Sequence, residues 1–78
     1  MTIKQKPIEW RAIMAAGAPR RVAEHTGYHE ITVRKWATGK PIAADAVTTI
    51  CRLGQGMFQP HQLRPDVFDE SQRVEVTA

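Results

Sequence analysis

Apolar residues in this chain come in short runs at helical spacing, and glycine or proline cuts each run off from the next. Trp10, Ile13 and Met14 share one helical face behind Pro7, whose missing N–H costs nothing in a first turn, and Gly17 suits a left-handed cap. That spacing predicts a first helix over Pro7–Ala16. Pro19 opens a second, with Val22 and Ala23 facing inward and Arg20, Arg21 and Glu24 outward, until Gly27 stops it. A third helix over His29–Thr38 buries Val33 and Trp36, and Thr38-Gly39-Lys40-Pro41 ends it. Ala43–Leu53 predicts a fourth, with Ala46, Val47, Ile50 and Leu53 as its buried stripe and Gly54 closing it. Pro60–Arg64 suits one further turn. Asp66 to Ala78 has no helical period, although Arg73–Thr77 alternates weakly and suggests a strand.

The fold expected is therefore all-α, a compact bundle of about five short helices with an irregular or weakly β C-terminal tail. A flexible arm is expected over residues 1–6, the folded domain over 7–68 and the tail over 69–78. A chain of 78 residues supports one small domain with a modest core.

The second and third helices form a helix-turn-helix pattern. Gly27 takes positive φ cheaply, which a sharp turn between crossing helices requires. Ala23 is small enough to let the two helices approach, while Val22, Tyr28, Val33 and Trp36 supply the wedge between them. Thr26 departs from the pattern, where an aliphatic residue is usual. This geometry lays the helix after the turn in a DNA major groove, with its leading residues at base edges.

His29, Glu30, Ile31 and Arg34 lead that helix and are the base-reading candidates. Arg34 can donate twice to guanine O6 and N7, Glu30 can accept from a cytosine amino group, and Ile31 can meet a thymine methyl. Thr32, Lys35 and Lys40 suit phosphates on the groove wall, as do Arg20 and Arg21 at the start of the second helix. Plainer roles compete with these. His29 suits a helix cap, Glu30 suits the helix dipole or a pair with Arg34, and Ile31 can fold back onto the core.

Charge strengthens the nucleic-acid reading once it is divided along the chain. Net charge is +3, but Met1 to Lys40 carries +5 and the remainder −2. A basic front half suits a polyanion, and an acidic rear half suits something else. One cysteine, Cys51, excludes an internal disulfide and favours a reducing compartment. With no signal peptide or long apolar run, a cytoplasmic protein with no membrane association is expected.

Enzyme chemistry has little support. His25, His29, His61 and Cys51 lack metal-ligand spacing, and His25 and His29 straddle the Gly27 break. No glycine loop follows a strand to cradle phosphate, so no cofactor and no metal are expected. Trp10 and Trp36 are expected in the core. Arg64 and Asp66, flanking Pro65, read as structural, with Leu63 and Phe68 covering the open end of the core. Met57, Val67, Phe68, Val74 and Val76 are candidates for a homodimer contact. The competing reading is a protein-interaction module, such as an antitoxin-like partner of a toxin or another regulator.

The stretch "AAGAPRRVAEHTGYHEITVRKWATGKPI" resembles the glycine-turn helix-turn-helix of small phage-type repressors of the Cro and YdaS-like group. "HQLRPDVF", His61 to Phe68, resembles the narrower segment that follows the fourth helix in YdaS-like proteins. The resemblance implies a five-helix bundle, dimeric binding of double-stranded DNA at a short palindromic operator, and a gene in a prophage or a toxin–antitoxin-type cassette. The Pro19-Arg20-Arg21 opening departs from the aliphatic, alanine-rich opening usual in that group.

Overall fold

The structure, a computed structural model, describes residues 6–69 and 71. It contains α1 (Ile8–Ala15), α2 (Pro19–Thr26), α3 (Glu30–Ala37), α4 (Ala44–Leu53) and α5 (Pro60–Leu63), with no strand among the described residues. The expected bounds hold to within a residue at each end. Pro7, His29 and Ala43 stand just outside their helices as caps, and Ala16 and Thr38 close theirs from beyond. The strand expected over Arg73–Thr77, with Val74 and Val76, lies outside the described residues.

Helices of eight to ten residues are too short to persist alone and hold together through one shared core. Ile13 of α1, Val22 of α2, Val33 of α3, and Val47 and Ile50 of α4 are almost fully buried in it, with Trp36 and Leu63 close behind. Burying a side chain of that size stabilises by roughly 1.5–3 kcal/mol. Ile42 is equally buried although it lies in the linker between α3 and α4, where no helical spacing marks it. Two residues expected on the inner face of α1 depart from it. Met14 is 43% exposed, and Trp10 is only half-buried and stands outside the core cluster.

The C-terminal clasp accounts for "LRPDVF". Leu63 fills the core, and Phe68 packs on its edge, tied back by its N–H to the Arg64 carbonyl at 2.9 Å. Arg64 donates from Nη1 to the Ile42 carbonyl (2.6 Å) and from Nε and Nη2 to the two Asp66 oxygens (2.9 and 2.7 Å). One guanidinium thus joins the α3–α4 linker to the last turn. Among the dimer candidates, Met57 and Val67 stay exposed, whereas Phe68 is half-buried against the core. No helix among the described residues is long and apolar enough to cross a membrane.

Candidate nucleic-acid interface

The site grows from the α2–α3 turn. Gly27 sits at φ +82, and a Cβ built on it would meet nothing within 4 Å. Glycine is therefore required by the backbone angle and not by crowding. Its N–H bonds the Ala23 carbonyl at 3.0 Å, closing α2 in a left-handed cap. Thr26, out of pattern in the sequence, has a clear task here. Its hydroxyl donates to the Val22 carbonyl (2.7 Å) and accepts from the Tyr28 N–H (3.3 Å), satisfying two backbone groups at the helix end.

Tyr28 then braces α3. Its ring meets Trp36 edge-on, with centroids 5.0 Å apart, and its hydroxyl donates to Asp45 Oδ1 on α4 at 2.7 Å. That bond raises the tyrosine pKa above its ordinary value, because ionisation would remove the proton it donates and leave two anions together. With Val33 and Trp36 locked inside, the opposite face of α3 is fixed toward solvent.

That face carries the sequence candidates together. His29 caps α3, its Nδ1 accepting from the Ile31 N–H at 3.2 Å. Ile31 is 59% exposed, so it does not fold back onto the core. Arg34 donates from Nε and Nη2 to Glu30 Oε2 at 2.9 and 2.6 Å, which leaves its Nη1 side open. In the unbound chain Glu30 thus holds Arg34 and also sits in the first turn, where its charge suits the helix dipole. Lys35 and Lys40 are exposed, and Thr32 is half-buried.

Arg20 and Arg21 are exposed at the head of α2. Arg20 lies 3.6 Å from Glu24, an exposed pair that contributes little and yields readily to a stronger anion. The stem of Arg21 crosses Gly17 so closely that a Cβ there would fall 2.2 Å from its Cδ. Behind Arg34 opens a groove of about 590 Å³ walled by Pro7, Trp10 and Pro19 and edged by Lys6 and Thr38. Sequence reading missed this groove because helical spacing alone assigned Trp10 to the core. The signal that could have exposed it was Lys6, four residues before Trp10 and separated from it by a proline.

Among the described residues no three of histidine, cysteine, aspartate or glutamate gather to hold a metal ion. Cys51 is buried, and burial pushes its thiol up to about 11, far from a working nucleophile.

The family model described as "Bacterial toxin YdaS" matches residues 10–72, taking in most of α1 and all of α2 to α5. No curated protein and no solved structure matches the chain at a significant level. With the match running through the turn at Gly27, the braced α3 and the Arg64 clasp, the chain belongs to the YdaS family.

Proposed function

We propose that this chain is a sequence-specific DNA-binding regulator, a dimeric repressor that lays α3 in the major groove of a palindromic operator. One observation carries the reading: Ile31 stands 59% exposed on the outer face of a helix that also presents Arg34 and Lys35 to solvent. A face that mixes a bare aliphatic group with cations matches a surface offering both methyl groups and anions. The major groove offers thymine methyls and guanine acceptors between two rows of phosphates.

In this reading Arg34 bonds guanine O6 and N7, Ile31 covers a thymine methyl, and His29 touches a base at the tip of the helix. Glu30 orients Arg34, and it meets a cytosine amino group only where it releases that arginine. Arg20, Arg21, Thr32, Lys35 and Lys40 bind phosphates. Two copies, joined through apolar residues such as Met57 and Val67, set their α3 helices about one DNA turn apart.

Arg34→Ala tests the assignment on a duplex selected from a random pool. Affinity should fall by about 1–3 kcal/mol, with preference relaxed at one base pair in each half-site. A variant that keeps the wild-type preference would show that Arg34 reads no base.

The family's description as a toxin favours a second reading, in which the chain harms the cell that makes it. Inducing the wild type and Arg34→Ala side by side separates the two. Growth arrest abolished by the substitution puts DNA on the path to toxicity; arrest that survives it points to a protein target.

A further inference from the structure

The groove behind Arg34 is walled largely by residues outside the core cluster. Trp10 forms one wall without joining the core, and Pro7 and Pro19 make rigid walls beside it. The Lys6 ammonium lies 5.6 Å from the indole centroid, a cation held over an aromatic face. Arg34 closes the far side, and no carboxylate lines the groove. At its edge α2 begins, and the amides of Arg20 and Arg21, in that helix's first turn, have no carbonyl four residues back inside it. The groove therefore carries Lys6 at one end and the Glu30-paired Arg34 at the other, is apolar along its wall, and continues into the outer face of α3 through Arg34.

We infer that this groove is a second DNA contact, seating one backbone phosphate with its deoxyribose: the phosphate meets Lys6 and the head of α2, and the sugar lies on Trp10. The inference rests on the DNA-binding reading and deepens it. Charge complementarity selects the occupant, since the Lys6 ammonium in the groove and the first turn of α2 beside Pro19, which no side chain caps, suit a phosphate. The indole wall suits the apolar side of a sugar, which a free inorganic anion lacks. Arg34 makes the groove and the base-reading face one surface, so a strand crossing the head of α2 fills both. Because the contact touches no base, it adds affinity without sequence preference.

Lys6→Ala is the first variant, because Lys6 is exposed and outside every helix, and Trp10→Phe is the second. Each is titrated against salt on the selected duplex and on an unrelated one, with wild type and Arg34→Ala beside them. For Lys6→Ala, the slope of log K against log salt should become shallower by about 0.9 on both duplexes, the share of one phosphate. Neutral methylphosphonates are then placed one at a time along the strand. One position should weaken wild type clearly more than it weakens Lys6→Ala, which keeps only the α2 contact to that phosphate, and Trp10→Phe should be weakened on both duplexes with its slope unchanged.

An unchanged slope in Lys6→Ala, while Arg34→Ala still loses base preference, overturns the groove and leaves the DNA-binding reading standing. A shallower slope that no single methylphosphonate masks also overturns it, since the lysine would then act only through diffuse charge. Wild type that binds neither duplex at low salt overturns both.

Discussion

Ala18 bears an unusual backbone, one of two non-glycine residues at positive φ among the described residues. At φ 85 and ψ 165 it occupies a region that only glycine enters freely, yet it sits between Gly17 and Pro19 as the cap residue of α2. Its conformation is imposed by its neighbours: its N–H bonds the Ile13 carbonyl at 3.0 Å and its own carbonyl accepts from Val22 at 3.2 Å. Ala18→Gly should therefore stabilise the fold by about 1 kcal/mol, read as a raised urea midpoint. A lowered midpoint would mean that the extra freedom glycine gives the unfolded chain outweighs the relief of strain. The residue scale also explains Thr26, whose hydroxyl accepts the Tyr28 N–H that an aliphatic side chain would leave to water.

At the scale of elements, the helices were legible because glycine and proline mark nearly every end and apolar spacing marks the inner faces of α2, α3 and α4. Val22, Val33, Trp36, Ala46, Val47 and Ile50 are buried as that spacing requires. Ile42 was not legible, since its burial depends on α4 and the Arg64 clasp closing over a linker, a tertiary effect with no local period. Trp10 misled for the converse reason, because helical spacing cannot say that a face ends at a groove. The candidate site divides likewise. Which residues share the outer face of α3 follows from its sequence, whereas the hold of Glu30 on Arg34 and the groove behind it emerge only in three dimensions. The turn itself yields a sharp expectation. With open space around Gly27, Gly27→Ala should cost only the backbone penalty, about 1–2 kcal/mol, and Gly27→Asn less, because asparagine tolerates the left-handed region. Equal losses for the two would show that the turn rejects any side chain. Calorimetry on both variants decides it.

Across the whole molecule, the α2–α3 unit is braced from α4 through Asp45, and the Arg64 clasp ties down the linker that follows α3. The clasp has a pH signature. Its hydrogen bonds from Arg64 hold the Asp66 carboxyl below its ordinary 3.8, so the folded state favours the ionised form. That contribution is full above 3.8 and fades as pH falls through the lowered folded value. Asp66→Asn should accordingly be less stable than wild type near neutrality and match it in strong acid. A gap that persists in acid would assign the loss to packing in place of charge. The division of charge along the chain, +5 before residue 41 and −2 after it, puts the excess of basic residues in the segment that carries α2 and α3. The most direct test of the central claim is selection of bound sequences from a random duplex pool, with a salt titration on the winner. The account predicts a two-fold symmetric winner whose log K falls against log salt with a slope of about −4 or steeper. A pool that yields no enriched sequence, with only weak salt-sensitive binding, would contradict it.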